Sequence, residues 1–334
     1  MTIEGEPGTV ITGADPIGPW QPAGEGLWLV GHWTGSYHVP DDVNERDERA
    51  NPTHLLFVDD YPLDYVKTRA ELVPGTWHLE PLLGFGPKTV TICPLPGIDP
   101  TRAAVEITNR QGLLTSKFNH VRGLYFLRGG VGVRGIGCVV EGNTIAWAPF
   151  CMLGIYGQYH VVRGNKILWG GNSGVGGSSY GLLFENNLLS YNGWRNFEAG
   201  WHGGAIKLIP ANVDHVMRKN EVCYNCISGI WYDTNNQGNH IEWNDCHDNS
   251  TIGLFDEFCF GNTFQHNLVY NNVGMGIGIC NTSEDRVYRN ILYNNDGSGI
   301  FFRWNGPPKK NSPRNTNSRR RRSAASWTCG DSRA

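Results

Sequence analysis

The sequence has no apolar run of about 18 residues, so it offers no candidate for a membrane-spanning helix. Charge of one sign is also scarce, because 28 Lys and Arg residues stand against 31 Asp and Glu residues, a formal net charge of −3. Such a balance creates no overall field that would draw the chain onto nucleic acid or an anionic membrane. We therefore expect neither nucleic acid nor a membrane among its partners.

The N-terminal segment, MTIEGEPGTVITGADP, has neither the basic stretch nor the apolar stretch of a secretion signal. It reads as the interior of a strand, and we expect the natural start to lie upstream. A D-x-D-x-D-G calcium loop is missing as well. We therefore predict no metal ion, and no cofactor.

Nine cysteines are spread widely along the chain, and an odd number leaves at least one of them outside any disulfide. Cys223 and Cys226 have the C-x-x-C spacing of a metal or redox pair. They fall inside an Asn-rich repeat, however, and no second pair follows at zinc-ribbon spacing. The interpretation we favour is buried structural thiols.

Glycine and asparagine are abundant. Gly accounts for 44 of 334 residues, roughly 13% against a usual ~7%, which disfavours a mostly helical protein. Asn is unevenly distributed, with 4 in the segment 1–142 and 23 in the segment 143–295. The change in composition marks the start of a repeat.

The repeat is defined by an Asn that precedes an apolar pair. It occurs at steps of 22, 22, 33, 24, 23 and 23 along the sequence, at Asn143, Asn165, Asn187, Asn220, Asn244, Asn267 and Asn290. A period of about 22–24 with Asn and Gly corners is typical of one coil of a parallel β-helix. Asn suits such a corner because it tolerates the left-handed conformation and can bond the Asn of the next coil. We predict an all-β fold, a right-handed single-stranded parallel β-helix.

The period divides the chain into three parts. Residues 1–120 lack it and read as an irregular β region or cap, residues 121–305 form the predicted β-helix, and residues 306–334 form a basic tail. The tail has 8 Lys or Arg and 1 acidic side chain, and we expect it to be disordered rather than a nucleic-acid patch. The long step of 33 contains an insertion at 194–204, and insertions in solenoids often emerge on the binding face.

Equivalent positions of successive coils should stack at the strand spacing of ~4.8 Å. Counting from the Gly that precedes each apolar strand places Trp231 and Phe255 in one outward column. The next outward column contains Lys207, Asp233, Glu257, Cys280 and Arg303. The column between them is apolar and inward, except for Asp256.

Asp233 and Glu257 should then have carboxyl groups roughly 5 Å apart, the separation that retaining glycosidases use. Two carboxyl groups at that distance do not ionise independently, so one pKa should rise. Lys207 beside Asp233 favours its ionised form. This assigns Asp233 as the nucleophile and Glu257 as the general acid/base. Solvated charges on a solenoid face are the alternative.

Several further side chains are assigned to substrate binding. Trp231, Phe255 and Trp201 have aromatic faces that suit sugar rings, and Lys207 and Arg303 supply positive charge. His202 is assigned to orienting the substrate, with a surface or capping role as its alternative. A corner role in turn formation is the interpretation for His247 and Asp248.

The segment GIWYDTNNQG…HDN…GLFDE, residues 229–257, resembles the β-helical β-xylosidases of glycoside hydrolase family 120. Members carry the pattern G-I-W-L-D…Q-G…L-F-x-E, in which the Asp is the nucleophile and the Glu is the acid/base. The resemblance implies these roles for Asp233 and Glu257, and the Q-G falls on Gln237, which we assign to substrate binding. It also implies a secreted or periplasmic protein. The chain departs from the pattern at Tyr232 and Thr234, and we expect the final coils after Arg303 to be lost.

Three functions follow as hypotheses, each with an oligo- or polysaccharide as partner. The first is a retaining, xylosidase-like glycoside hydrolase. The second is a polysaccharide lyase that uses Lys207 or Arg303 as the base on a uronic acid. The third is a carbohydrate-binding β-helix without catalysis.

Overall fold

A computed structural model describes residues 1–35, 54–81, 86–195 and 203–304. Within these residues the chain is a right-handed parallel β-helix built from three sheets of nine strands each, and the predicted fold class is confirmed. A separate sheet of eight strands is inserted near the N-terminus. The expected tail at 306–334 lies outside the described residues. No helix of the described ranges is both long and apolar enough to cross a membrane.

Each coil contributes one short strand to each of the three parallel sheets. The first sheet contains β1 (Thr2–Glu4), β12 (His120–Arg122), β15 (Val139–Glu141), β18 (Val161–Arg163), β21 (Leu183–Glu185), β24 (Val216–Arg218), β27 (His240–Glu242), β30 (Thr263–Gln265) and β33 (Arg286–Tyr288). The second sheet contains β2 (Val10–Thr12), β13 (Tyr125–Leu127), β16 (Thr144–Ala146), β19 (Lys166–Leu168), β22 (Leu188–Ser190), β25 (Glu221–Cys223), β28 (Asp245–His247), β31 (Leu268–Tyr270) and β34 (Ile291–Tyr293). The third sheet contains β11 (Leu113–Leu114), β14 (Val131–Val133), β17 (Cys151–Gln158), β20 (Ser173–Tyr180), β23 (Gly204–Leu208), β26 (Ser228–Asp233), β29 (Leu254–Glu257), β32 (Ile277–Cys280) and β35 (Ile300–Arg303).

The inserted sheet has a core of its own and is mostly antiparallel. Its strands lie in the order β3 (Ala14–Pro16), β10 (Val105–Thr108), β6 (Leu56–Val58), β7 (Tyr61–Tyr65), β8 (Thr76–Glu80), β9 (Lys88–Cys93), β5 (Leu27–Trp33) and β4 (Gln21–Gly24), with a 3-10 turn at Arg69–Glu71. Trp77 and Leu56 are among its fully buried side chains.

The β-helix begins earlier than the boundary expected near residue 120. β1 pairs in parallel with β12, and β2 pairs in parallel with β13, so residues 2–12 already belong to the first coil. The chain then leaves the helix to build the inserted sheet and returns at Leu113. The long insertion separates this first coil from the second coil in the sequence. The period of 22–24 residues therefore does not reveal the first coil.

Stacked asparagines line the inside of the corners, as the repeat predicts. Asn143 donates from Nδ2 to Oδ1 of Asn165 at 3.0 Å, and the same bond joins Asn220 to Asn244 at 2.9 Å. The backbone N–H of each Asn also donates to the Asn of the following coil. The left-handed conformation falls on the preceding residue rather than on the ladder Asn, for example at Lys219 with φ 53°. The Asn side chain instead satisfies buried backbone groups that the turn leaves open.

Candidate active site

The two candidate carboxylates end two adjacent strands of the third sheet. β26 and β29 pair in parallel, with Asp233 opposite Glu257. Tyr232 and Asp256, the residues that precede them, are fully buried and point into the helix. Because side chains alternate along a strand, both carboxylates project from the outer face, on strands spaced about 4.8 Å apart.

Lys207 reaches Asp233 from a different column than the sequence suggests. Counting from glycine places Lys207 directly beside Asp233, whereas in the structure Lys207 pairs with Trp231 and Leu208 pairs with Tyr232. The shift is two residues, so the outward direction of the side chain is preserved. The long side chain spans the difference, and Nζ lies 3.1 Å from Oδ2 of Asp233.

Asp233 is held by two polar contacts and is only 9% exposed. One carboxylate oxygen faces the Lys207 ammonium, and the hydroxyl of Thr234 donates to the other at 2.8 Å. A buried carboxylate is stable as an anion only where it is paired and hydrogen-bonded, and both conditions are met here. The arrangement suits an ionised nucleophile.

Glu257 is in the opposite electrostatic situation. Burial raises the pKa of its carboxyl group, and the negative charge of Asp233 raises it further, while Lys207 and Arg303 oppose the shift. Burial also lowers the pKa of Lys207, against the attraction of Asp233. One anionic and one more readily protonated carboxyl group therefore stand side by side.

The aromatic column is less open than the sequence suggests. Trp231 is 3% exposed, with Nζ of Lys207 over its ring at 3.3 Å from the centroid. Phe255 packs against it, with ring centroids 5.0 Å apart, and is half-buried. Trp231 therefore supports the Lys207 ammonium by a cation–π contact rather than presenting an open face to sugar.

The remaining predicted residues lie in different places. Arg303 is exposed and occupies the Glu257 column two coils further on, through Cys280. Gln237 is exposed at the corner after β26, where its backbone bridges the neighbouring coils. Trp201 and His202 lie outside the described residues.

An aromatic ladder is a further feature of the fold that the repeat did not predict. It runs along the corner that follows the second sheet, with stacked rings at Trp147, Trp169, Tyr191 and Tyr224, and Trp194 packs against the ring of Trp147. Its signal is the coil spacing itself, because the four rings follow one another at steps of 22, 22 and 33, the same steps as the Asn ladder. A hydropathy pattern does not show which aromatic rings stack on one another. The ladder becomes visible only when the sequences of successive coils are aligned.

Lys207 supplies positive charge at this site, since its Nζ lies 3.1 Å from Oδ2 of Asp233 and its charge lowers the pKa of Glu257. A group of potential metal ligands does exist elsewhere in the described residues, at Glu221, Cys223 and His247. It lies on the second sheet, where Cys223 and His247 are one coil step of 24 apart.

Solved structures share this fold. The structure of XylC in complex with xylose matches with a TM-score of 0.66 and 15% identity, over 85% of this chain and 59% of that one. The periplasmic alginate epimerase AlgG matches with a TM-score of 0.51 and 17% identity, over 60% of this chain and 51% of that one. The chain thus spans less than two thirds of either protein. Neither a protein-family model nor a curated protein matches the sequence.

Proposed function

We propose that the protein is a retaining glycoside hydrolase that acts on an oligo- or polysaccharide. The observation that carries the proposal is the in-register pair of Asp233 and Glu257, with Lys207 bound to the first and a raised pKa on the second. Neighbouring strands spaced about 4.8 Å apart favour the ~5–5.5 Å carboxyl separation of retaining enzymes over the roughly 6.5–9.5 Å of inverting enzymes, which place a water between substrate and base.

The chemistry has two steps. In the first, a carboxylate oxygen of Asp233 bonds to the anomeric carbon, the glycosidic bond breaks, and Glu257 gives its proton to the departing oxygen. In the second, the Glu257 carboxylate takes a proton from water, whose oxygen displaces Asp233 and releases the sugar with its original anomeric configuration. Glu257 ends protonated, ready for another cycle.

Xylose is the first sugar to test, because the XylC structure contains it and the segment at 229–257 resembles β-xylosidases. We also propose a location outside the cytoplasm, in keeping with the substrate and with the periplasmic AlgG. Fractionation of cells that express the natural gene tests the location. Recovery of the protein only in the cytoplasm would contradict it.

The lowered pKa of Lys207 favours a second candidate, a polysaccharide lyase, because a neutral amine can take a proton from the carbon beside a uronic carboxylate. Against it stands the ion pair with Asp233, which draws the amine toward its charged form. Hydrolysis is therefore the stronger proposal.

A panel of nitrophenyl glycosides, with the xyloside first, distinguishes the candidates. We expect the unaltered protein to release nitrophenol and Asp233→Asn to be inactive. The control Asp296→Asn, which removes an exposed carboxylate 63 residues after Asp233, should keep full activity. Polysaccharide products with new ultraviolet absorbance would identify a lyase. Saccharide binding without turnover, unchanged after loss of both carboxylates, would identify a binding protein.

A further inference from the structure

Four side chains with metal-binding atoms project from the outer face of the second sheet. β25 and β28 pair in parallel, with Glu221 opposite Asp245 and Cys223 opposite His247. The residues between them on each strand are fully buried in the helix, so these four project outward. None of them belongs to the site around Asp233.

Three of the four already have their ligand atoms close together. The ligand atoms of Glu221, Cys223 and His247 all lie within 4.8 Å of one another. Oε1 of Glu221 is 3.7 Å from Sγ of Cys223 and 3.8 Å from Nε2 of His247. Bonds of about 2.0–2.3 Å at tetrahedral angles separate zinc ligands by roughly 3.5 Å. A small movement of the exposed Glu221 side chain brings the atoms to that spacing.

His247 is oriented as a ligand. Its Nδ1 lies 2.7 Å from Oδ2 of Asp248, which leaves Nε2 as the ring nitrogen on the side of Glu221. The ring also stacks on Tyr270 at 4.8 Å and 9°. A carboxylate behind a histidine is the usual support of a zinc-bound imidazole.

The carboxylate of Asp245 on the same face is incompletely satisfied. Oδ1 of Asp245 is buried without a hydrogen-bond partner among the described residues. An unpaired buried carboxylate oxygen is unfavourable, and a bound cation would satisfy it.

We propose that Glu221, Cys223 and His247 bind a divalent transition-metal ion with the preferences of Zn²⁺, and that Asp245 is the fourth ligand. Thiolate, imidazole and carboxylate together select such an ion over Mg²⁺ or Ca²⁺. The ion joins two neighbouring coils, because Glu221 and Cys223 lie on β25 and His247 lies on β28.

Cobalt(II) tests the site in the full chain, because a thiolate ligand gives Co²⁺ a charge-transfer absorption band that water and carboxylates do not give. We expect one equivalent of Co²⁺ to produce the band in the metal-free protein, Zn²⁺ to abolish it, and Cys223→Ser to lack it. Cys226→Ser is the matched control and should keep it. Asp248→Asn should weaken Zn²⁺ binding by roughly 10- to 100-fold.

A second readout does not depend on colour. Zn²⁺ should raise the Tm of the unaltered protein, and His247→Gln should abolish the increase. Absence of the cobalt band in a protein whose circular dichroism shows it folded would overturn the proposal. Loss of the band in Cys226→Ser would overturn the ligand set in favour of the C-x-x-C pair.

Discussion

The ammonium of Lys207 lies 3.1 Å from the carboxylate of Asp233, although the two residues occupy different columns of the third sheet. Lys207 also lowers the pKa of Glu257, which burial and Asp233 raise. A single cation thus acts on both candidate catalytic carboxyl groups. It stabilises the anion of one and limits the proton affinity of the other.

Lys207→Met should therefore change both the rate and the pH profile. Among the described residues, loss of the ammonium leaves the Asp233 carboxylate with the Thr234 hydroxyl as its side-chain partner, and we expect kcat/KM on an aryl glycoside to fall on the order of 100-fold. The pKa of Glu257 should rise further, so the alkaline limit of activity should move to higher pH. The measurement is kcat/KM as a function of pH.

Lys166→Met is the control, because Lys166 is an exposed lysine on β19 of the second sheet. It should leave the profile unchanged. An alkaline limit that stays in place in Lys207→Met would show that Glu257 is not the group that titrates.

Glu257→Gln should separate substrates by their leaving groups. Without the acid, release of a poor leaving group should slow by roughly 10²–10⁴-fold, while a dinitrophenyl glycoside needs little protonation and should form the intermediate almost normally. Burst kinetics with the activated substrate measure this difference. An equal loss on both substrates would argue against the acid role. Glu284→Gln serves as the control, because Glu284 is an exposed glutamate 27 residues further along the chain.

The alignment of coils by asparagine is what makes Asp233 and Glu257 predictable as a pair. Asn220, Asn244 and Asn267 follow one another at steps of 24 and 23, and Asp233 and Glu257 are likewise one step of 24 apart. Parallel pairing without bulges keeps that step across the sheet. Whether each side chain points outward or into the β-helix then follows from the alternation of side chains along a strand.

The position of Lys207 was harder to predict because the insertion falls just before β23. In the pairing of the two strands Ala205, not Gly203, stands opposite Gly229, so counting from Gly203 is wrong by two residues, an error that keeps the same face. The burial of Trp231 was also missed. It depends on a side chain from the preceding coil, Lys207, which lies over the ring.

The Asn ladder should dominate the stability of the corners. Asn244 donates to Asn267 and to the Met217 carbonyl and accepts from Asn220, all in buried surroundings. Asn244→Ala leaves several groups unsatisfied, and we expect a loss of about 3 kcal/mol in the free energy of unfolding. Denaturant titration measures it.

Asn290→Ala is the graded comparison, since Asn290 is half-buried near the last described coil and water can replace its bonds. The loss in the free energy of unfolding should be clearly smaller for Asn290→Ala than for Asn244→Ala. Equal costs at both positions would mean that the ladder bonds are not what makes Asn244 important.

Asp256, buried on the inward side of β29, should make the protein less stable as pH rises. Burial holds its pKa well above the ordinary range, and the nearby Asp285 raises it further. Above the unfolded pKa of ~3.9 the unfolded state ionises while the folded state stays protonated, so stability should fall by up to about 1.4 kcal/mol per pH unit until the folded pKa is reached.

Asp256→Asn removes this penalty and keeps a polar group beside Asn262. Its advantage in the free energy of unfolding over the unaltered protein should be larger at pH 7 than at pH 5, and Asp296→Asn should show no such trend. An advantage that is independent of pH would contradict a protonated Asp256.

Identification of the covalent intermediate tests the central claim most directly. The protein is incubated with the 2-deoxy-2-fluoro glycosyl fluoride of the sugar that it hydrolyses best, and the labelled peptide is sequenced by mass spectrometry. We predict one glycosyl group per chain, esterified to Asp233. A label on another residue, or turnover with inversion of the anomeric configuration and no label, would contradict a retaining mechanism at the Asp233 and Glu257 pair.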